Sequence, residues 1–275
     1  MAHEIKRGIF SWFGFVLPLP ERLRLIKGAG FNATSIWWED EQEPFVIHKQ
    51  DMPEMVKKAG LVLENIHVPY NNSNDLWSEK KQDREDVVRK HIEWLHDCSR
   101  FDIPLMVMHI IEGGEPPAPN EYGLKSMTRI VEAAEHFKVK IAIENTHRDD
   151  SVIFLLSRIK SSYMGFCYDS SHAMLRKHRN EILLKDYGCR LFATHLSDND
   201  GCFDRHWLPG NGKINWEGLG ALFPEDYKGF FTLETVPSEE EKKLGPEKFL
   251  AKAFEKISWV EALFTASRWT ENKGN

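Results

Sequence analysis

Short apolar segments alternate with amphipathic segments along the whole chain. The apolar segments predict eight β-strands, at residues 5–11, 33–38, 62–67, 105–110, 140–144, 164–168, 191–196 and 230–234. Amphipathic segments at 21–27, 83–99, 126–137 and 247–264 predict helices between them. In the second of these segments, Val88, Ile92 and Leu95 recur at helical intervals.

The alternation of strands with helices is typical of right-handed βαβ units and a parallel sheet. Eight such units favour closure into a single (β/α)8 TIM barrel of the α/β class. No Gly-x-Gly-x-x-Gly motif follows the first strand, which argues against an open dinucleotide-binding sheet. Because no linker or low-complexity tract divides the chain, we expect one barrel domain over residues 1–275.

Residues that can bind a metal follow the predicted strands three to eight, at the point where each strand ends. They are His67, His109, Glu144, Asp169 with His172 close behind it, His195 and Glu234. Successive members are separated by about one βα unit, so a barrel places them on the rim where barrel enzymes hold their active sites. A single His or Glu there is most often structural. Six consecutive strands that end in such groups favour a divalent-metal site, because burying them together without a cation is costly.

The long loop after strand seven adds two candidate ligands, Asp204 and His206. The Pro-Gly-Asn-Gly run at 209–212 allows this loop to turn tightly over the rim. Trp216 follows the run and is expected to pack where the next helix begins. The loop therefore extends the predicted site beyond the strand ends.

Composition favours a soluble globular protein without a broad nucleic-acid surface. The chain has 36 Lys and Arg against 42 Asp and Glu, and its formal net charge of −6 argues against a broad nucleic-acid surface. The four cysteines form no Cys-x-x-Cys pair and are expected to be reduced thiols. No apolar run approaches the ~20 residues of a transmembrane helix, so we expect a cytoplasmic protein with no membrane partner.

Five short motifs at these positions resemble the xylose-isomerase-like barrel superfamily. They are Ile-Ala-Ile-Glu-Asn-Thr at 141–146, Asp-Ser-Ser-His at 169–172, His-Leu-Ser-Asp-Asn at 195–199, Asp-Arg-His at 204–206 and Leu-Glu-Thr at 233–235. This superfamily contains sugar epimerases and isomerases, inosose and dehydroshikimate dehydratases, and apurinic-site endonucleases. The resemblance extends from about strand three to strand eight.

The resemblance to the sugar epimerases implies four metal ligands, Glu144, Asp169, His195 and Glu234. It also implies that Glu144 and Glu234 form the acid/base pair and that His172 contacts substrate. We therefore expect a metal-dependent isomerase or epimerase of a sugar, ketose or cyclitol, which transfers a proton through a metal-stabilised enediolate. A dehydratase shares the first step and then expels a β-hydroxyl, so this outcome stays open.

The apurinic-site endonucleases are a further alternative. Their three-zinc set would fill nine positions here, the four ligands above together with His67, His109, His172, Asp204 and His206. Three departures count against them: His-Arg-Asp-Asp at 147–150 replaces their Ala-Gly-x-Gly, Ser-Asp-Asn at 197–199 replaces Asn-Asp-Ser, and the segment 209–216 is similar to the isomerase branch. With the acidic balance, these departures favour the isomerase.

The sequence leaves the metal and the five outer residues open. One His with three carboxylates suits Mn²⁺, Mg²⁺ or Co²⁺, and also Zn²⁺. If His67, His109 and His206 bind metal as well, they favour Zn²⁺ or a second ion. Otherwise they are hydrogen-bond partners for substrate hydroxyl groups. No organic cofactor is expected.

The expected partner is a polyhydroxylated small molecule, and assembly into a homo-oligomer is left open. Trp12 and Trp37, at the ends of strands one and two, are candidates for an apolar wall of the pocket, although ordinary barrel packing explains them equally well. Arg205 is a candidate for binding an acidic group. Glu39 and Glu112 are expected to be solvated rim charges.

Overall fold

The computed structural model describes residues 6–146, 148–175 and 180–271, and eight strands follow one another within these ranges in the predicted order. The strands are β1 (Arg7–Phe10), β2 (Ala33–Trp37), β3 (Val62–His67), β4 (Leu105–Met108), β5 (Lys140–Glu144), β6 (Met164–Asp169), β7 (Leu191–His195) and β8 (Phe231–Leu233). All eight predicted strands are confirmed. Several are one or two residues shorter than predicted, and residue 5, where the first was expected to begin, lies outside the described residues.

Helices occupy the segments between the strands. They are α1 (Leu19–Gly28), α2 (Met52–Lys58), α3 (Lys81–Arg100), α4 (Glu121–Phe137), α5 (Asp149–Arg158), α6 (Ser170–Leu175), α7 (Asn180–Tyr187), α8 (Trp216–Gly220), α9 (Glu239–Leu244) and α10 (Pro246–Glu271). The four helices predicted from amphipathicity are present and each is longer than predicted. At the start of α4, the Asn120 side chain accepts a hydrogen bond from the backbone N–H of Gly123. No helix within the described residues is long and apolar enough to cross a membrane.

The strands form one parallel sheet that closes into a barrel. Pairing runs from β7 through β6, β5, β4, β3, β2 and β1 to β8. Leu196, directly after β7, closes the circle: its N–H donates to Thr232 O at 2.8 Å, and its carbonyl accepts from Glu234 N at 3.2 Å. Leu196 and Leu233 thereby form a parallel bridge. The predicted (β/α)8 barrel is confirmed.

The inner face of the barrel leads directly to the predicted site. A small interior cluster contains Leu105, Val107, Ala142, Cys167 and Ala193, whereas the larger apolar core lies between the strands and the helices. Side chains two residues apart on a strand point to the same face. The residues two positions beyond Val107, Ala142, Cys167 and Ala193 are His109, Glu144, Asp169 and His195. The metal-binding candidates therefore form the next layer above the barrel interior.

A carboxyl group is also buried lower in the barrel. Glu64 on β3 accepts a hydrogen bond from the Thr232 hydroxyl. The missing side chain of Gly8 makes room for it, since a Cβ at that position would lie 2.7 Å from Glu64 Oε1. Burial raises the pKa of Glu64 from 4.5 to about 7, because the charged form loses its hydration.

Replacing Glu64 by Gln should flatten the dependence of stability on pH. Between pH 4.5 and pH 7 the folded protein holds a proton that the unfolded chain releases, so this group favours folding below pH 4.5 and loses that contribution as pH rises to 7. The loss amounts to about 3 kcal/mol. We expect Glu64→Gln to gain stability relative to the wild type between pH 5 and pH 8, measured by urea denaturation. Parallel pH profiles would contradict the raised pKa, and Glu54→Gln, on the exposed side of α2, is the control.

Candidate metal centre

The structure brings the four predicted ligands and the five further candidate residues to the C-terminal end of the barrel. Seven of them line one cavity, namely His67, His109, Glu144, His172, Asp204, His206 and Glu234. Asp169 and His195 lie just beneath it and are fully buried. Residues that are regularly spaced along the sequence thus form a single cluster, because strands β3 to β8 each place a candidate ligand at the same end of the barrel.

Four of these residues can surround one cation. Glu144, Asp169, His195 and Glu234 each offer one ligand atom, and these atoms lie within 4.8 Å of one another. Nδ1 of His195 lies 3.0 Å from Glu144 Oε2 and 3.1 Å from Glu234 Oε2. Asn145 fixes the backbone of Asp169, since its amide donates to Asp169 O and its Oδ1 accepts from Asp169 N.

The hydrogen bonding of this group fits a metal ion. Asp169 Oδ2 is buried without a hydrogen-bond partner, and His195 Nδ1, although close to two carboxylates, is not oriented for a hydrogen bond to either of them. Buried polar atoms without partners are costly, and in native proteins most of them are satisfied by protein, water or an ion. Three carboxylates and one imidazole form a donor set that suits a divalent cation. Glu144, Asp169, His195 and Glu234 therefore fit the predicted metal site.

A second group that could hold a cation contains His67, His109 and Glu144. Nε2 of His67 lies 3.1 Å from Glu144 Oε2, and Nε2 of His109 lies 3.5 Å from it. Nδ1 of His67 donates to Val68 O, and Nδ1 of His109 donates to Glu112 Oε2 at 2.8 Å. These bonds require a proton on Nδ1 of each ring and turn Nε2 toward Glu144, so that Nε2 can donate to Glu144 when it is protonated and can ligate a cation when it is not.

Ion pairs and hydrogen bonds connect the loop after β7 to the metal-ligand candidates. Asp204 Oδ2 lies 3.1 Å from His172 Nε2 and 3.0 Å from His206 Nε2, while Ser171 donates to Asp204 Oδ1. His172 also approaches Glu144, with Nδ1 3.1 Å from Oε1. His206 has a left-handed backbone with φ of 50°, and its Nδ1 donates to the carbonyl of Glu234. This loop is therefore held over the rim by its own candidate ligands.

Burial and the charges of neighbouring groups shift the pKa values of the acidic and histidine side chains in this cluster. Burial raises the pKa of Asp169 to about 6. Burial alone would raise the pKa of Glu234, but the nearby His195 and the charge of His206 together lower it to about 2. Against burial, the hydrogen bond to Asp204 and the charge of Glu234 raise the pKa of His206 to about 10. Protons and a cation compete for such groups, so metal binding there releases protons.

A buried aspartate organises the rest of the loop after β7. Asp198 accepts hydrogen bonds from the backbone N–H groups of Gly210 and Ile214 and from the indole N–H of Trp216. Trp216 is the first residue of α8, as the sequence predicted. The tight Pro-Gly-Asn-Gly turn is thereby anchored to the end of β7.

The cavity above the centre has a volume of about 810 Å³. Trp12 and Trp37 line it, and the Trp37 ring stacks on His67 with centroids 5.2 Å apart. Arg205 is not among the described residues that line this cavity; it is exposed and pairs with Asp200 at 3.0 Å. The positions of Trp12 and Trp37 therefore agree with their prediction as pocket residues, whereas the position of Arg205 does not support a role in the pocket.

Three contributors were missed or misjudged from the sequence. Glu112, expected to be a solvated rim charge, instead orients His109 through their 2.8 Å hydrogen bond. Tyr70 stacks on His109 with centroids 4.2 Å apart, and Cys167 forms a third cation-capable group with Glu144 and His195. Cys167 lies two residues before Asp169 on an inward-facing strand, and this spacing was the available signal. Contacts of Tyr70 and Glu112 depend on loop conformations that the sequence pattern does not specify.

The family model described as xylose isomerase-like TIM barrel matches residues 23–253. The chain belongs to this family, as the motifs indicated. Among curated relatives, it is 35% identical over 104 residues to uncharacterized protein y4fM of Sinorhizobium fredii, a match covering 35% of this chain and 33% of the relative. It is 27% identical over 154 residues to probable endonuclease 4 of Thermoplasma volcanium, covering 49% and 53%. The matched segments thus span a third to about half of these relatives.

Solved structures share the fold over nearly the whole chain. A structure of L-ribulose 3-epimerase has a TM-score of 0.76 at 13% identity and covers 98% of both chains. D-psicose 3-epimerase from Clostridium cellulolyticum H10 has a TM-score of 0.74 at 13% identity, covering 94% of this chain and 99% of its own. Identities this low establish the common barrel and nothing finer.

Removal of one ligand should separate metal binding from folding. We expect Mn²⁺, Co²⁺ or Zn²⁺ to raise the melting temperature of the metal-free protein, because a ligand that binds only the folded state stabilises it. Asp169→Asn should weaken the affinity by more than about 100-fold, beyond the loss typical of residues outside the ligand set. Affinity is measured by calorimetric titration of the chelator-treated protein.

The control is Asp226→Asn, an exposed residue shortly before β8. It should bind metal as the wild type does. Equal affinities for wild type and Asp169→Asn, with the fold of both intact by circular dichroism, would contradict the assignment of Asp169.

Proposed function

We propose that this protein is a divalent-metal-dependent isomerase or epimerase of a sugar, ketose or cyclitol. One observation carries the proposal: the carboxylates of Glu144 and Glu234 offer oxygens within 4.8 Å of each other and border the same cavity. Two carboxylates at one reaction centre can remove a proton and return it, which is the chemistry of epimerisation and isomerisation.

The protonation states of the two glutamates suit this role. The pKa of Glu234 is about 2, so Glu234 is ionised at neutral pH and can accept a proton. Although burial raises the pKa of Glu144, the charges of His195 and His109 hold it well below the usual range. One ionised carboxylate accepts the proton next to the substrate carbonyl and can return it. For the other carboxylate to deliver a proton to the opposite face, it must first take one up from a neighbouring histidine or from solvent. Because the pair is coupled, the two titrations belong to the site as a whole.

Other residues hold the substrate and stabilise charge. Glu144, Asp169, His195 and Glu234 would hold a divalent cation, which would supply Lewis-acid stabilisation of negative charge on the substrate oxygens. His172 lines the cavity next to Glu144 and is placed to bond a substrate hydroxyl. Trp37 covers one side of His67 and limits the access of water from that direction. A dehydratase would use the same first step, with loss of a β-hydroxyl in place of reprotonation.

The structural neighbours support this proposal to a limited extent. The solved structures with the same fold include L-ribulose 3-epimerase and D-psicose 3-epimerase, which are named for reactions of this class. The chemistry itself is argued from the residues of this chain.

A zinc-dependent apurinic-site endonuclease is the second candidate. It is favoured by the group of His67, His109 and Glu144 and by the similarity to probable endonuclease 4. Against it, one side of the cavity is lined by acidic side chains, namely Glu39, Asp40, Glu41, Glu43 and Glu112. A phosphate backbone is held by basic groups, and a row of carboxylates repels it. We therefore rank the isomerase or epimerase first.

Loss of either carboxylate should abolish exchange of the reacting proton. With Mn²⁺-loaded protein and a panel of ketoses and keto-cyclitols in deuterated water, we expect a C–H next to the carbonyl to exchange, followed by NMR. Glu234→Gln and Glu144→Gln should each slow this exchange by about 10²–10⁴-fold, the usual contribution of an acid or base. Glu217→Gln, exposed on α8, is the control and should exchange normally. Undiminished exchange in Glu234→Gln would refute its acid/base role.

A duplex with one abasic site distinguishes the second candidate. We expect the Zn²⁺-loaded and Mn²⁺-loaded proteins to leave it intact, because the acidic cavity edge opposes phosphate binding. The measurement is strand cleavage on a denaturing gel, with an unmodified duplex as control. Lesion-specific cleavage that disappears in His109→Ala would replace the isomerase proposal by the endonuclease.

A further inference from the structure

Exposed apolar side chains form the outer wall of the cavity above the metal centre. Trp12 is 44% exposed, Val16 64% and Phe45 37%, which is unusual for large apolar residues in this chain. All three line the same cavity as Glu144 and Glu234. A contiguous exposed apolar patch that adjoins polar groups commonly marks a binding surface. Because the cavity is continuous, a molecule bound at the metal centre that extends outward must meet this wall.

The volume of the cavity exceeds what one small sugar needs. Pockets of about 300–1,000 Å³ accommodate drug-sized ligands, and this cavity of about 810 Å³ lies in the upper part of that range. Its inner end holds the polar groups that fit a polyhydroxylated ring, such as His172 and Glu234. Its outer end adds the apolar surfaces of Trp12, Val16 and Phe45, which lie beside acidic side chains.

Buried contacts hold the outer wall in place. Arg22 on α1 is 2% exposed; it donates to Ser11 O at 3.1 Å, pairs with Glu41, and its guanidinium lies 5.7 Å from the centre of the Trp12 ring. An antiparallel bridge between Glu41 and Ile47 closes the short segment that carries Phe45. The apolar surfaces are therefore pre-organised, which lowers the entropy cost of binding.

The charge of the outer wall excludes an anionic group. Within the part of the chain that the structure describes, Arg22 is the one Lys or Arg that lines the cavity, and Glu41 neutralises it. Glu39, Asp40 and Glu43 add negative charge beside Phe45. A phosphate or carboxylate on the outer part of a substrate would be repelled, whereas an uncharged apolar group would not.

We propose that the outer half of this cavity binds an uncharged apolar substituent of the substrate. The substrate is then a conjugate, a polyhydroxylated ring at the metal centre joined to an aromatic or other apolar group that packs against Trp12, Val16 and Phe45. A free monosaccharide or a sugar phosphate fits less well. The inference rests on the proposed function for the position of the ring, and on the apolar wall alone for the substituent.

Matched pairs of glycosides test this inference. Methyl and phenyl β-glycosides of glucose, galactose and xylose are titrated calorimetrically into the Mn²⁺-loaded protein, with glucose 6-phosphate as the anionic comparison. We expect at least one phenyl glycoside to bind about tenfold more tightly than its methyl partner, in line with burial of one aromatic ring. Glucose 6-phosphate should bind no better than glucose.

Variants of the wall assign the preference to these residues. Trp12→Ala and Phe45→Ala should each reduce the phenyl-to-methyl ratio to about threefold or less. Val46→Ala is the matched control, because Val46 is 57% exposed on the same segment but does not line the cavity. It should keep the full ratio. An unchanged ratio in both wall variants would overturn the inference.

The remaining outcomes separate the inference from the proposed function. Equal, metal-dependent binding of each methyl and phenyl pair would overturn the inference and leave the function standing. A phenyl preference that persists without metal, in a protein that exchanges no substrate proton, would uphold the apolar site and overturn the function. Absence of any phenyl-dependent binding would also overturn the inference. So would a dimer in sedimentation that Trp12→Ala dissociates, because a second copy of the chain would then cover the wall.

Discussion

The site depends on one buried carboxylate. Four imidazoles converge on Glu144, those of His67, His109, His172 and His195, each with a ring nitrogen 3.0–3.5 Å from one of its oxygens. An isolated carboxylate would cost far too much free energy at such depth, and so would four unpaired imidazoles. Each kind of group therefore makes the burial of the other tolerable, and a cation adds to the same balance. Removing Glu144 would leave four buried rings without a common partner, a larger change than the loss of one base.

Barrel geometry explains why this cluster forms where it does. Val107, Ala142, Cys167 and Ala193 fill the interior one layer below, and three of these four are small. Bulky side chains in that layer would occupy the space that the imidazoles and carboxylates now use. Because inward-facing positions alternate along each strand, the next inward residue on four neighbouring strands belongs to the site. The same alternation of inward-facing positions therefore determines both the packing of the barrel interior and the residues of the candidate metal site.

This regularity determines what the sequence could and could not predict. The strand order, the barrel and the convergence of the six side chains at the strand ends follow from apolar segments of similar spacing that each end in a potential ligand. The exact ends of β1 and β4 do not, because local hydrogen bonds set them. Other contacts depend on loop conformations and could not be predicted. Arg22 pairs with Glu41, and the Glu112 side chain accepts a hydrogen bond from His109. Arg205 lies in the same loop as His206, but its side chain pairs with Asp200 and does not line the cavity.

The nine candidate ligands alone do not decide the reaction, since sugar isomerisation and phosphodiester hydrolysis can both use such a set. The surroundings differ between the two reactions. A phosphodiester substrate brings negative charge to the rim, and here that rim presents Glu39, Asp40, Glu43 and Glu112. Specificity is a difference of affinities, and repulsion of the wrong ligand contributes to it as much as attraction of the right one. The acidic edge and the apolar wall would disfavour a charged polymer and favour the proposed neutral conjugate, so that residues that never touch the reacting atoms would select the chemistry of the centre.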